Sequence, residues 1–191
     1  AQINLNNIDG LPKETNVTMS IYNNQNNKLM HTYMHTFNRN QFPDTLSFDP
    51  IYQYKLVVHT VPEVIVENIK LTPGKHNVIS ANTPQGKLNL RMQGSNSIYT
   101  GINCIIRQKD SIKTLNIQNM NTTKEYLVGD YDLEILSIPR IYFDKVEIQQ
   151  SKINELTIPM YGSVELSKGK GPAALFVKKN GQNIWAYDFS D

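Results

Sequence analysis

The sequence has a single cysteine, Cys104, among its 191 residues, so no disulfide can form within the chain. It has no run of 18 or more apolar residues, which excludes a transmembrane helix in these residues. No segment is rich in lysine or arginine, and the net charge of +2 gives no reason to expect nucleic-acid binding. The hydrophobic content of 39% is that of a globular protein, and the length is enough for one or two domains.

Alanine is also scarce, with 5 residues against 20 isoleucines and 22 asparagines. Alanine is the best helix former, whereas β-branched residues favour strands and asparagine favours turns. Apolar residues recur at every second position over 54–58 and again over 131–135. This period of two predicts an all-β fold of short strands joined by turns, as in sandwiches and barrels.

An internal repeat is the most informative pattern, because the apolar positions of 54–71 recur 77 residues later at 131–148. The matched pairs include Tyr54 with Tyr131, Leu56 with Leu133, and Val66 with Phe143. The match resumes at an offset of 76, where 86–90 meets 162–166. In both segments the matched apolar residues occupy every second position. Such positions share one face of a strand, so the repeat is a set of strand positions that face a core.

A period of this length suits a small sandwich of about seven strands. It predicts one sandwich over 1–83, a second over 84–160 and the truncated start of a third over 161–191, which contains a hairpin at Asn180-Gly181. A third repeat with so few strands has a half-covered core, which indicates a fragment of a longer protein. Alternatively, the last strands complete the second repeat.

Several segments carry a family resemblance. They are 71–76 leading to 83–88, 105–108 continuing to 114–118, and 126–136. Together they resemble the accessory C-terminal β-sandwich repeats of Bacteroidetes von Willebrand factor type A (vWA) domain proteins. More broadly they resemble transthyretin-like (prealbumin-like), carboxypeptidase-regulatory-like and PEGA-type modules, which are Ig-like sandwiches.

The resemblance implies tandem sandwiches in the cell envelope of a Gram-negative bacterium, in the periplasm or at the outer-membrane surface. It also implies a vWA domain covalently attached on the N-terminal side, and a structural or ligand-presenting role in adhesion. The sequence contains no Asp-x-Ser-x-Ser motif, so the metal chemistry of that family is assigned to no residue of this chain.

The residues that could bind a metal or act in catalysis favour structural roles. His31 and His35 lie on a predicted strand, which places them about 13 Å apart, too far for one ion. Cys104 aligns with Met19 and is predicted to fill the core. Asp130 and Asp132 share a strand face, where they could act as acid and base, hold Ca²⁺, or keep an edge soluble. The sequence therefore assigns no catalytic, cofactor or metal residue.

Exposed aromatic rings are the candidate contacts for a ligand or partner, since sugar C–H groups pack on their faces. Trp185, Tyr187 and Phe189 alternate onto one face of the last predicted strand. In a complete third repeat that face belongs to the core, whereas in this chain it is exposed or covered by a neighbour. We select Trp185, Tyr187 and Tyr161, for the last of which packing at a repeat junction is the alternative.

Three functions follow from these observations. The first is a non-catalytic cell-envelope module that spaces or presents a vWA domain and binds protein or glycan. The second is a carbohydrate-binding or accessory module of a secreted hydrolase. The third, an enzyme in its own right, requires a deep pocket lined by a hydrogen-bonded acid–base pair.

Overall fold

A computed structural model of the chain describes residues 1–43, 45–98, 101–160, 162, 165, 167 and 171–189. Over these residues it forms fifteen β-strands and no helix, so the all-β prediction is confirmed. The strands are β1 (Gln2–Asn6), β2 (Thr18–Asn23), β3 (Leu29–Met34), β4 (Gln53–Val58), β5 (Val64–Lys70), β6 (Val78–Asn82), β7 (Gln85–Met92), β8 (Asn103–Gln108), β9 (Asn116–Asn119), β10 (Thr122–Leu127), β11 (Gly129–Ile135), β12 (Ile141–Ile148), β13 (Ile153–Ile158), β14 (Ala173–Lys179) and β15 (Gln182–Phe189).

The chain divides into two compact units, each assembled from separate stretches of sequence. Unit 1 comprises Ala1–Leu88, Lys124–Gly129 and Glu147–Asn154. Unit 2 comprises Asn89–Thr123, Asp130–Val146 and Glu155–Asp191. The division into tandem repeats at 83 and 160 stays a prediction.

Unit 1 is built on a four-stranded antiparallel sheet in the order β3-β2-β4-β5 and on a parallel pair, β1-β6. Their alternating apolar side chains form one buried cluster: Ile3, Leu5, Val17, Met19, Ile21, Tyr54, Leu56, Val58, Ile79 and Ala81. Because the cluster draws on both sheets, they pack face to face as two layers around one core.

Unit 2 contains a second four-stranded sheet, in the order β12-β11-β8-β9. Its central strands pair antiparallel, with Leu133 opposite Ile106 and Ile135 opposite Cys104, and all four side chains are buried. Apolar positions therefore point to one face of this sheet, as the alternation in the sequence predicts.

A three-stranded sheet has the order β10-β7-β13, and β7 alternates buried and more exposed positions along its length. At Gly86 the chain passes very close to Gln149, because a Cβ atom built there would lie 2.1 Å from the Gln149 carbonyl oxygen. No side chain other than hydrogen fits at this position without a backbone shift.

The two four-stranded sheets share details at the predicted offset of 77 residues. Residues 53–58 and 130–135 have the same order of buried and half-buried positions, as do 64–70 and 141–147. Leu56 and Leu133 are both buried, as predicted. Val66 and Phe143, which were also predicted to be buried, are both only half-buried, on strands β5 and β12 at the sheet edges.

The hairpin predicted at Asn180-Gly181 is confirmed. Strands β14 and β15 pair antiparallel around this two-residue turn, and Lys179 lies opposite Gln182. Both turn residues have positive φ, 51° at Asn180 and 81° at Gly181, as a type I′ turn requires. Within the described residues these two strands form a sheet of their own.

Candidate functional site

The β14–β15 hairpin presents the predicted aromatic residues to solvent. Trp185 is 57% exposed and Tyr187 is 43% exposed. The Tyr187 ring packs edge-on against Phe189 with their centroids 5.0 Å apart, and the Trp185 indole N–H donates to Asp188 Oδ1 at 2.9 Å. These contacts hold both rings in place.

A groove in unit 2 runs beside these two rings. Its cavity measures about 470 Å³. It is lined by Leu136, Ser137, Ile138, Arg140, Trp185, Ala186 and Tyr187. A concave site of this size, lined by aromatic and aliphatic side chains together with one cationic side chain, has features of a small-ligand pocket. We call it the Trp185 groove.

Arg140 is held in the Trp185 groove by a buried carboxylate. Glu134, whose side chain is 11% exposed, accepts hydrogen bonds from Arg107 Nη2 at 2.7 Å and from Arg140 Nη1. The Arg107 hydrogen bond is the largest cause that lowers the pKa of Glu134, and the bond and charge of Arg140 lower it further. Glu134 is therefore ionised and fixes both guanidinium groups.

A second group of side chains in unit 1 forms a hydrogen-bonded line on one sheet. Ser20 Oγ lies 2.8 Å from His59 Nε2, and His59 Nδ1 lies 2.8 Å from Glu63 Oε1. This is the connectivity of a nucleophile, base and acid. Ser20, however, lies within β2 between two paired strands and is only 5% exposed. A carbonyl substrate has no open approach to this hydroxyl, so the line is a polar brace that runs from β2 to His59 and Glu63 at the surface between β4 and β5.

A polar cavity of about 360 Å³ also lies in unit 1, lined by both acids and bases. Its charged side chains are Glu14, Glu125, Lys87 and Lys152. Partial burial raises the pKa of Glu14, and the charge of Glu125 raises it further. Lys87 lies 3.4 Å from Glu125, and Gln150 donates to Glu14 at 3.1 Å, so these carboxylates have partners within the unit.

The predicted histidines occupy different environments. His31 is exposed on β3, whereas His35 is buried just beyond the strand with Nε2 3.0 Å from the Ile3 carbonyl oxygen. The strand prediction that separates them is confirmed over Leu29–Met34. Among the described residues, no group of three or more His, Cys, Asp or Glu side chains could hold a metal ion.

Asp132 has a structural contact on each of its carboxylate oxygens. They accept the backbone N–H groups of Asp110 and Lys145, each at 3.0 Å. Both donors have positive φ, and their hydrogen bonds lower the pKa of Asp132. The side chain therefore fixes two turns beside β11, whereas the carbonyl of its neighbour Asp130 accepts the N–H of Lys109.

Cys104 is fully buried on β8, as predicted, and burial raises the pKa of its thiol to about 12. Because the thiolate is the reacting form, we expect the native protein to react with Ellman's reagent at pH 8 at least about a hundredfold more slowly than the protein in urea. Stopped-flow absorbance measures both rates. Equal rates in the two conditions would contradict the buried position.

Tyr161, the remaining predicted contact, lies outside the described residues. In the part of the chain that the structure describes, no helix is long and apolar enough to cross a membrane. No protein-family model matches the sequence, and no curated protein matches it. The Trp185 groove is thus the site that combines predicted aromatic residues with a cavity and a charge.

Proposed function

We propose that this chain is a non-catalytic β-sandwich module of a larger vWA-type protein at the cell surface, where it spaces or presents the attached domain and binds protein or glycan. The observation that carries the proposal is that the two four-stranded sheets have the same strand order, and that β4 with β11 and β5 with β12 agree in burial at an offset of 77 residues. A second sandwich adds length to a protein, which is what a spacer requires.

The Ser20–His59–Glu63 line is compatible with this proposal. Its serine lies in a central strand, and Thr32 Oγ1 lies 3.4 Å away on the neighbouring strand. The hydroxyl thus contributes to pairing across the sheet. We expect that a fluorophosphonate probe does not label Ser20, as measured by mass spectrometry. Labelling that disappears in Ser20→Ala but persists in Ser137→Ala would favour a hydrolase instead.

The cell-surface part of the proposal is tested on the full-length gene product in the cells that encode it. We expect to recover the protein in the envelope fraction. An antibody or a protease should reach this segment on intact cells if it lies at the outer surface, or after permeabilisation of the outer membrane if it lies in the periplasm. Recovery of the protein in the same fraction as a cytosolic marker enzyme would contradict the cell-surface location.

A carbohydrate-binding module of a secreted hydrolase is the second candidate, and the Trp185 groove favours it. Aromatic rings fixed on a strand offer flat apolar faces to a sugar ring at little cost in side-chain entropy. Binding of glycans that is lost in Tyr187→Ala and kept in Tyr52→Ala, an exposed tyrosine of unit 1, would support this function.

A further inference from the structure

The Trp185 groove combines aromatic rings with a cation in one cavity. Trp185 and Tyr187 supply the rings, Leu136 and Ile138 supply apolar surface, and Arg140 supplies the charge. Its volume falls within the range of about 300–1,000 Å³ that is common for ligand pockets. A ligand that fits must therefore have both an apolar ring face and a negative charge.

Arg140 has hydrogen-bonding capacity beyond its internal partner. A guanidinium has five N–H donors, and the Arg140 side chain is 52% exposed although one of its donors is bonded to Glu134. Glu134 already has Arg107 as a second cation, so two positive charges face this one carboxylate. The outward N–H groups of Arg140 can thus donate to both oxygens of a second carboxylate.

The other acids of this region have partners of their own. Asp188, on the hairpin, accepts the Trp185 indole N–H. Asp132 accepts two backbone N–H groups and interacts with the charge of Lys109. The charge of Arg140 is therefore offset by Glu134 of β11, which Arg140 shares with Arg107, while Asp188 and Asp132 are engaged elsewhere.

We propose that the Trp185 groove binds a hexuronate residue, the acidic form of a pyranose sugar, with its ring on the aromatic side chains and its carboxylate on Arg140. The inference rests on the glycan-binding part of the proposed function and names the class of glycan. The carboxylate distinguishes it from neutral sugars, since losing a charge-assisted hydrogen bond weakens binding by about tenfold or more.

Trp185 is the single tryptophan of the chain, so its fluorescence reports directly on the groove. The probes are galacturonate oligomers, mannuronate oligomers and hyaluronan tetrasaccharide, with methyl-esterified oligogalacturonate and maltotetraose as neutral controls. We expect a saturable change with at least one acidic oligomer, and binding at least about tenfold weaker for the neutral controls. Free galacturonate and glucuronate, measured alongside, tell whether the site takes a monomer or requires a polymer.

Variants connect the signal to the named side chains. Arg140→Gln should weaken acidic-oligomer binding by about tenfold or more, Arg140→Lys should weaken it less, and Tyr187→Ala should weaken acidic and neutral sugars alike. Tyr52→Ala, in unit 1, should leave binding unchanged. Circular dichroism checks that each variant is folded, and the charge-conserving lysine variant keeps the test valid if the glutamine variant unfolds.

Three results would each overturn the inference. The first is no saturable change with any acidic probe. The second is equal affinity for acidic oligomers and their methyl esters, and the third is binding that Arg140→Gln leaves intact. If neutral sugars alone bind and Tyr187→Ala abolishes that binding, the uronate inference fails while the glycan-binding function stands.

Discussion

Replacing Leu133 with alanine is expected to lower the free energy of unfolding by about 3 kcal/mol, and Leu56→Ala by a similar amount. Both side chains are buried at the centre of a four-stranded sheet, 77 residues apart. Removing three carbon atoms from such a position forfeits their burial and leaves a cavity, which costs about 2–5 kcal/mol. Urea denaturation followed by circular dichroism measures both values.

Ile65→Ala is the matched control, because Ile65 lies on the edge strand β5 and its side chain is more than half exposed. We expect a loss below about 1 kcal/mol there, which reflects strand propensity and the partial burial of the side chain. If either leucine variant lost no more than this control, the two positions would not be equivalent core positions, and the duplication would lose its main support.

Replacing Glu134 with alanine is expected to lower the free energy of unfolding by about 3 kcal/mol. The substitution leaves Arg107, whose side chain is 23% exposed, without the carboxylate that faces it at 2.7 Å. Removing one partner of a largely buried ion pair costs more than the pair contributes, because the remaining charge stays desolvated. The double variant Glu134→Ala/Arg107→Ala should therefore be less destabilised than the sum of the two single variants, which a thermodynamic cycle measures.

The same carboxylate predicts a dependence on pH. The pKa of Glu134 in the folded chain is held below its ordinary value of 4.5, mainly by the Arg107 hydrogen bond. A lowered folded pKa stabilises the protein above the unfolded value, and this stabilisation is lost as the pH falls through the folded one. The difference in stability between the native protein and Glu134→Gln should thus be largest near neutral pH and should shrink below pH 4.5. A constant difference down to pH 2 would contradict this assignment.

The position that matches Glu134 in the first predicted repeat is apolar. Val57 lies 77 residues earlier and is buried on β4, so the first sheet has an apolar side chain where the second has an acid. An acid at such a position requires cations close by, and Arg107 and Arg140 provide them. Arg140 thus lines the Trp185 groove while it also belongs to the ion cluster around Glu134.

Sequence reasoning found the strands because alternation is a local property. The burial of Cys104 and Leu133 follows from side chains two residues apart pointing to the same face, and the turn at Asn180-Gly181 follows from two residues that tolerate positive φ. Sequence reasoning missed Arg140 and the Ser20–His59–Glu63 line, because the alternation of apolar residues does not tell which strands and turns lie next to one another. A lone arginine after Pro139 gives no signal of what it faces.

The sequence by itself determined that the chain is all-β, that a hairpin turns at Asn180-Gly181, and that side chains such as Leu56, Leu133 and Cys104 are buried. Each of these depends on neighbours along the chain. Only the tertiary structure decided that Trp185 and Tyr187 stay exposed and that Arg140 lies beside them on a buried glutamate. Exposure and charge pairing depend on which strands pack together, and residues 134, 140 and 185 meet through folding rather than through any spacing in the sequence.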